Sequence, residues 1–408
     1  MIDASMPEHD VAPAAAPDRA ARRLTVRVSG LYLALYVHYG FFTFLPLWLK
    51  LTGASAGEIG LLLAIPLVLR LLTVAVVANW AGRRGRVRDA ITATALLSAA
   101  LITLLLGEPG HLGRILVVAV FSIVWDQIPV LTDAYAVMAV RSRALDFGRM
   151  RVWGSIAVVL STASAGWVFG IVGIKALPLI VAVLLLLPAI VAPLLPPDRE
   201  MARVEPGAAG NWREVLADRK LMRALIGAAL IMGSHGVITS FGAIQWTARG
   251  ISTGTIGLLQ ALAVSAEILA FWFGAKLLGR RDPMLLICIA AVAGTVRWLV
   301  MAIDPGLPVL VAAQLLHSIT STGAILGTML VIAARVPVQT SAAAQGVNAV
   351  LLGIALAATT AGSGLLWDYG VAPAYLAMAG LAALAIVIAW PPRTPRILDT
   401  QLTAGVEA

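Results

Sequence analysis

Twelve long apolar segments divide the 408-residue chain, and each is long enough to cross a membrane as a helix. A helix rises about 1.5 Å per residue, so about 20 residues span a hydrocarbon core of about 30 Å. Charged residues make up 12% of the sequence and hydrophobic residues 60%, whereas soluble domains carry roughly 25% charged residues. A soluble globular protein is excluded, because too few polar residues remain to cover its surface. We predict an all-α membrane protein with twelve transmembrane helices, numbered here as spans 1 to 12.

The predicted spans form two halves of six, residues 28–195 and 221–392, separated by the polar stretch 196–220. The first half contains Val28–Lys50, Ala56–Trp80, Ala90–Leu106, Ile115–Val140, Val152–Val172 and Ile174–Leu195. The second half contains Leu221–Ala248, Thr253–Gly279, Pro283–Ile303, Leu307–Ala334, Ala342–Trp367 and Val371–Trp390. We expect residues 196–220 to be a cytoplasmic linker, residues 1–27 a disordered cytoplasmic tail and residues 393–408 a second tail.

The distribution of basic residues predicts the orientation. Of the 30 Lys and Arg residues, 24 fall in the tails and in the loops that follow even-numbered spans, or within four residues of them. Cytoplasmic loops carry an excess of Lys and Arg, so we predict a multi-pass protein of the bacterial-type inner membrane with both termini in the cytoplasm. The formal net charge of +9 reflects this topology, and no nucleic-acid partner is expected. The expected partners are the lipid bilayer, a small-molecule substrate and protons, and we expect a monomer.

An internal repeat relates the two halves. Residues 55–84 align without a gap to residues 252–281, with a constant offset of 197 residues, and both copies end in Gly-Arg-Arg. Each copy runs in the same direction through the membrane, so the predicted halves are parallel. The same offset pairs His38 with His235 and Arg70 with Glu267.

Few ionisable residues fall inside the predicted spans. A charge at mid-membrane costs at least about 2.5 kcal/mol, so it normally faces a cavity or a partner. Away from the ends of the spans, these residues are Asp126, Asp133, Glu267, Arg70, Arg297, His38, His235 and His317.

Carboxyl and imidazole groups are the candidates for proton coupling. An isolated carboxyl group in a medium of low dielectric can gain and lose a proton near neutral pH, so Glu267 is the first candidate, followed by Asp126 and His235. The alternatives are a permanent ion pair of Glu267 with Arg70 or Arg297, and an Asp126 that is hydrogen-bonded to a neighbouring helix. Pro129, which follows Asp126, is expected to kink span 4.

Substrate binding is predicted for cationic, imidazole and aromatic side chains. Arginine can hold a carboxylate with two hydrogen bonds, although either arginine could instead be a structural counter-ion. Histidines both donate and accept hydrogen bonds, and aromatic rings near these positions suit a flat, partly apolar ligand. The predicted residues are Arg70, Arg297, His38, His235, His317, Trp125 and Tyr36.

Gating is predicted for charged residues near the cytoplasmic ends of the spans. Asp133 lies near the basic loop 141–151, where a salt bridge could lock a cytoplasmic gate. The basic candidates are Arg83, Arg84, Arg149, Arg151, Arg280 and Arg281.

Enzymatic motifs are absent from the sequence. It contains no Gly-rich phosphate loop followed by Lys-Ser/Thr and no HExxH cluster. Its single cysteine, Cys288, excludes an internal disulfide and a cysteine-rich metal site. We therefore expect neither enzymatic activity nor a cofactor or metal, and an ion gradient as the energy source.

Twelve spans in parallel halves, with Gly-Arg-Arg after spans 2 and 8, resemble the major facilitator superfamily. Within it, four stretches resemble the phenylpropionate permease branch, which is named for a 3-phenylpropionate transporter. These stretches are residues 129–134, residues 146–155, Ala266-Glu267-Ile268 with Arg297-Trp298, and residues 314–317.

The resemblance implies proton symport of a small, aromatic carboxylate through rocking of the two halves. It also implies that spans 1, 4, 7 and 10 line a central cavity, with His38, Asp126, His235 and His317 around it. Two features depart from the family pattern: Asp126 itself, and a loop at residues 80–86 without the usual acidic residue.

Two other functions are compatible with the sequence. A proton-driven efflux antiporter for amphipathic compounds would share the fold and the carboxylates. A membrane receptor or scaffold without transport is a second alternative.

Overall fold

The computed structural model describes residues 19–143, 145–201, 212–278 and 282–390, and the regular structure in these ranges is helical throughout. The α-helices are α1 Arg19–Tyr36, α2 Tyr39–Phe42, α3 Leu45–Leu51, α4 Ala56–Arg84, α5 Val87–Thr103, α6 His111–Trp125, α7 Gln127–Arg143, α8 Phe147–Val172, α9 Leu177–Val191, α10 Trp212–Ala217, α11 Arg219–Gly233, α12 Gly236–Ala248, α13 Thr253–Leu278, α14 Pro283–Ala302, α15 Leu307–Arg335, α16 Ser341–Trp367 and α17 Val371–Ala389. Short 3-10 helices cover Leu104–Gly107, Ile174–Ala176, Ala192–Leu194, Asp198–Glu200 and Val338–Thr340.

Twelve helical segments in the described ranges are long and apolar enough to cross a membrane, which confirms the predicted number. Span 1 comprises α1 to α3, span 4 comprises α6 and α7, and span 7 comprises α11 and α12. The other nine spans are single helices in chain order, α4, α5, α8, α9 and α13 to α17, some with a 3-10 turn at one end.

The structure corrects two predicted boundaries. Residues 19–27 belong to helix α1 rather than to a disordered tail, because Leu24 continues the buried apolar stripe of Val28 and Leu31. Part of the predicted linker is also helical, since α10 lies within it and Val215 of α10 is buried in the core of the second half. The predicted tails at 1–18 and 393–408 lie outside the described residues.

The internal repeat has a structural counterpart. Ser55 Oγ accepts a hydrogen bond from the Glu58 amide at the start of span 2, and Ser252 Oγ accepts one from the Thr255 amide at the start of span 8. Span 1 is interrupted at Val37 and His38, and span 7 is interrupted at Ser234 and His235. His38 and His235, which the offset pairs, therefore occupy the same place in two matching helix breaks.

Span 4 is also interrupted, at Asp126. Pro129 lacks the N–H that would bond to the carbonyl of Trp125, four residues earlier, and this weakens the helix one turn before the proline. The predicted kink therefore lies at Asp126.

Two seams of small residues join the halves at one end of the bundle. We call this end, where spans 2 and 8 begin at Ala56 and Thr253, the opposite face. The basic face is the other end, where spans 2, 4 and 10 finish at Arg84, Arg143 and Arg335. Span 2 packs along span 11, and span 5 packs along span 8.

In the first seam, a Cβ added to Gly364 of span 11 would lie 2.6 Å from the carbonyl oxygen of Ala56 and 3.0 Å from the Cα of Gly60. In the second, a Cβ added to Gly257 of span 8 would lie 2.7 Å from the carbonyl oxygen of Thr162. The backbones are in direct contact at these points, so the opposite face is closed.

We predict that Gly364→Ala opens this seam, because an inserted methyl group costs about 1 to 3 kcal/mol where no space exists. The measurement is the distance between spin labels on Leu112→Cys and Tyr369→Cys, two exposed positions at the opposite face, in a Cys288→Ser background. The distance should lengthen in Gly364→Ala. Gly362→Ala is the matched control, because a Cβ at Gly362 meets nothing within 4 Å. Equal distances in the two variants would contradict the prediction.

Candidate functional site

A cavity of about 410 Å³ lies between the two halves. Its polar groups come mainly from the second half, and its wall in the first half is largely aromatic and aliphatic. The polar residues that line it include Thr43, His235, Gln260, Arg297, Gln314 and His317. The aromatic residues that line it are Tyr39, Phe42 and Trp246.

Arg297 of span 9 is a buried cation at the cavity, with 1% of its surface exposed. Its Nη2 donates to Gln314 Oε1 at 2.8 Å, and its Nη1 lies 3.3 Å from His317 Nδ1. The guanidinium also lies over the Trp298 ring, 4.5 Å from the centroid. In the described part of the chain no carboxylate forms an ion pair with Arg297. The guanidinium is therefore surrounded by neutral groups that do not cancel its charge. This arrangement leaves the positive charge available to an anion.

His317 connects Arg297 to Glu267. His317 Nε2 lies 3.1 Å from Glu267 Oε2, and Ser321 donates to Glu267 Oε1 at 2.9 Å. An arginine can only donate, so its contact requires an unprotonated Nδ1 on His317. The His317 proton is then on Nε2 and is donated to the Glu267 carboxylate. Glu267 is thus bonded to a histidine, and the alternative of a direct ion pair with Arg70 or Arg297 is not the arrangement in the structure.

His235 of span 7 lies beside this chain of residues. Its ring centroid is 5.0 Å from that of His317, its Nδ1 lies 3.0 Å from the Ile231 carbonyl, and its Nε2 lies 3.1 Å from Thr320 Oγ1. The structure therefore brings Arg297, His235 and His317, three of the predicted substrate residues, to one side of the cavity.

The predicted residues of the first half lie elsewhere. The family resemblance implies that His38 and Asp126 lie around the cavity, but the residues that line it include neither of them, nor Arg70, Trp125 or Tyr36. His38 is fully buried, and its Nε2 accepts a hydrogen bond of 2.6 Å from the Trp125 indole.

Aromatic packing explains this displacement. Tyr39 and Phe42, which line the cavity, pack against Trp125 with ring centroids 5.1 and 4.9 Å apart. An aromatic layer thus separates His38 from the cavity. Asp126 is buried on the same span as Trp125 and is close enough to Arg70 for an electrostatic interaction.

The predicted gating residues make local contacts. Asp133 accepts a hydrogen bond of 2.7 Å from Tyr32 within the same half, where the sequence suggested a salt bridge. Arg149 pairs with Asp146 at 3.3 Å, and Arg84 lies over Trp80. Arg83 lies in the last turn of α4, and Arg280 and Arg281 lie outside the described residues.

Arg151 donates to the Tyr36 hydroxyl at 3.0 Å. It also lines a second cavity of about 240 Å³ together with Glu267. Val158 and Val264 line both cavities, so the central cavity continues toward the basic face.

Sequence reasoning missed the uncharged polar residues of the cavity. Gln314 belongs to residues 314–317, which carry part of the family resemblance, but the sequence assigns no role to it, to Gln260 or to Thr43. Both glutamines interrupt apolar spans, and this is the signal that could have identified them.

Comparison with known proteins gives consistent results. Residues 25–377 match the sequence model of the MFS_1 like family. A probable 3-phenylpropionic acid transporter of Escherichia coli (strain K12) is 31% identical over 343 residues, covering 83% of this chain and 90% of that protein. Maltose permease of Geobacillus stearothermophilus is 27% identical, covering 71% of this chain and 73% of that protein.

Among solved structures, a mutant of the nucleoside transporter NupG superposes with a TM-score of 0.78 at 15% identity. The match covers 90% of this chain and 98% of that one. At this identity the similarity demonstrates the fold.

We predict that Arg297 and His317 are energetically coupled. In a double-mutant cycle of Arg297→Gln and His317→Gln, the effects on the free energy of unfolding should deviate from additivity by at least about 0.5 kcal/mol, as for residues in contact. Chemical unfolding in detergent provides the measurement. The matched cycle pairs Arg297→Gln with His38→Gln, which lies in the other half and should be additive. Additivity in both cycles would show that the contact contributes nothing.

Proposed function

The chain belongs to the MFS_1 like family, and on this premise we propose that it is a proton-coupled symporter that takes up a small aromatic carboxylate by alternating access. The family and the similar transporter of Escherichia coli indicate that the protein is a secondary transporter of the inner membrane, and the structure has twelve spans. The substrate class, the proton coupling, the direction of transport and the cytoplasmic position of both termini belong to the proposal.

The observation that carries the proposal is the buried Arg297, which has no acidic partner among the described residues and lines a largely apolar cavity. A cavity of about 410 Å³ falls within the range of about 300 to 1,000 Å³ that is usual for small ligands. The guanidinium suits a carboxylate, and Tyr39 and Phe42 suit an aromatic ring. The name of the Escherichia coli relative supports an aromatic acid. A neutral sugar, as in the name of the second relative, would leave the charge of Arg297 uncompensated.

The hydrogen bonds around His317 supply a physical route to proton coupling. While Arg297 donates to Nδ1, that nitrogen cannot hold a proton. A proton that binds there removes the acceptor and releases Nη1 of Arg297 toward the cavity, where a carboxylate can accept from it. Glu267 stabilises the resulting imidazolium through Nε2. Proton binding and anion binding then favour one another, and by linkage this mutual effect is the requirement for symport.

The closed seams and the second cavity define the state of the transporter. The opposite face is sealed at Gly364 and Gly257, whereas the central cavity continues toward the basic face. If the basic face is cytoplasmic, as the distribution of Lys and Arg predicts, this is the inward-facing state. Rocking of the halves would open the seams and close the basic face.

We predict that 3-phenylpropionate stabilises the purified protein against thermal unfolding, because a ligand that binds the folded state stabilises it in proportion to log concentration. The neutral analogue 3-phenylpropan-1-ol and maltose should have no effect at the same concentrations. Arg297→Gln should weaken the affinity for the acid at least about tenfold, since a hydrogen bond to a charged group contributes about 1.5 to 3 kcal/mol. Tyr36 lies outside the cavity, so Tyr36→Phe should retain the stabilisation by the acid. Stabilisation by maltose, or equal stabilisation by the acid and the alcohol, would contradict a carboxylate substrate.

We predict that Glu267→Gln abolishes accumulation of 3-phenylpropionate driven by a pH gradient in proteoliposomes, while exchange of substrate across the membrane without a gradient continues. The glutamine keeps the size of the side chain but cannot carry a negative charge to stabilise protonated His317. Asp126→Asn is the matched variant and should still accumulate substrate. Full accumulation by Glu267→Gln would exclude this residue from coupling, and extrusion of substrate against an inward proton gradient would favour the antiporter.

A further inference from the structure

A hydrogen bond between the halves crosses the central cavity. Thr43 of span 1 donates to Oε1 of Gln260 in span 8 at 2.9 Å. Among the described residues that line the cavity, this is the one side-chain hydrogen bond that joins the two halves. Gln260 lies seven residues, about two helical turns, beyond Thr253 at the start of span 8. The bond is thus on the cavity side of the closed seams.

The amide nitrogen of Gln260 remains available for a ligand. Thr43 donates to the amide oxygen, so this bond does not use the amide nitrogen Nε2 with its two N–H donors. In the described part of the chain, Nε2 of Gln260 has no hydrogen-bond partner. The Gln260 side chain is partly exposed to the cavity, so a ligand can reach it.

Gln260 lies near the group that would hold the substrate anion. Gln314 accepts from Arg297 through Oε1 and donates through Nε2 to the carbonyl of Leu259 at 3.3 Å. Leu259 immediately precedes Gln260, so one glutamine connects the guanidinium to this turn of span 8. Arg297, Gln314 and Gln260 all line the central cavity, so an anion bound by Arg297 shares this cavity with the Gln260 amide.

Thr43 has an alternative acceptor in its own half. Its hydroxyl has a single proton, which it can give either to Gln260 Oε1 at 2.9 Å or to the carbonyl of Gly40 at 2.7 Å, but not to both at once. When the bond to Gln260 breaks, Thr43 still has a partner, and no unsatisfied donor is left behind.

We propose that Gln260 is a substrate-binding residue that links occupancy of the cavity to separation of the halves: its side-chain amide passes from Thr43 to an oxygen of the bound carboxylate. This rests on the proposed function, because the ligand is the anion that Arg297 binds. For Nε2 to donate to the anion at Arg297, the Gln260 side chain turns toward that anion and draws Oε1 away from Thr43, so occupancy of the cavity breaks the bond between the halves. The opposite face is then released for opening.

The first test uses the protein without substrate and the spin labels at Leu112→Cys and Tyr369→Cys. Thr43→Val removes the bond and keeps the shape of the side chain, so the label distance should lengthen toward that of the wild-type protein with 3-phenylpropionate. Thr239→Val is the matched control. Thr239 lines the same cavity, but its hydroxyl donates to the carbonyls of His235 and Gly236 in its own span and does not join the halves. An unchanged distance in Thr43→Val, or the same change in Thr239→Val, would overturn the role of the bond.

The second test measures binding of 3-phenylpropionate. Gln260→Met removes the amide donors and should raise the apparent Kd at least about tenfold, as expected for loss of a hydrogen bond to a charged group. Substrate should no longer change the label distance. Thr43→Val keeps these donors and should bind at least as tightly as wild type. Equal losses of affinity in the two variants would indicate a merely structural effect and would overturn the proposal.

The two proposals fail in different ways. If wild type binds the acid and Arg297→Gln loses it, but Gln260→Met binds like wild type, the role of Gln260 is wrong and the proposed function stands. If the wild-type protein does not bind the acid, both are wrong.

Discussion

The centre of this protein depends on the environment of one guanidinium, that of Arg297, which is buried and forms no ion pair with any carboxylate in the described part of the chain. Removing a charge from water costs several kcal/mol unless polar partners replace the hydration. Here Gln314 and His317 replace it at Nη2 and Nη1, and the ring of Trp298 lies beside the guanidinium, whereas Nε has no partner among the described residues. Gln314, His317 and Trp298 are all neutral in the arrangement that the hydrogen bonds require. The charge of Arg297 is therefore partly solvated but not cancelled, which is the condition for binding an anion inside a membrane protein.

The surroundings of Arg297 are themselves tied to the rest of the second half. The Trp298 indole donates to Ser234 at the break of span 7, and its ring stacks on Tyr375 of span 12. Tyr375 in turn donates to Gln245. A shift of span 9 would therefore disturb spans 7 and 12, so the position of the guanidinium is set by the packing of the half as a unit.

Duplication accounts for the framework, and divergence accounts for the site. The two halves share the serine caps at the start of spans 2 and 8 and the helix breaks at His38 and His235. Yet His38 is covered by Trp125 and Tyr39, whereas His235 lines the cavity beside His317. Equivalent backbone positions have acquired different roles because the side chains packed on them differ. The polar chemistry is concentrated in the second half, and the first half supplies an apolar surface.

Residue types and their spacing determined the number of spans, the two parallel halves and the identity of the ionisable groups inside the membrane, because these depend on local composition and on the cost of moving a charge into lipid. They also singled out Arg297, His235 and His317, which line the cavity. They did not show that Glu267 bonds to His317, that an aromatic layer separates His38 from the cavity, or that Gln260 bonds to Thr43. Those relations were decided by the tertiary structure, since hydropathy reports the depth of a residue in the membrane but not the direction in which its side chain points. That direction follows from the rotation of each helix against its neighbours and from close approaches such as those at Gly364 and Gly257, which involve residues far apart in the chain.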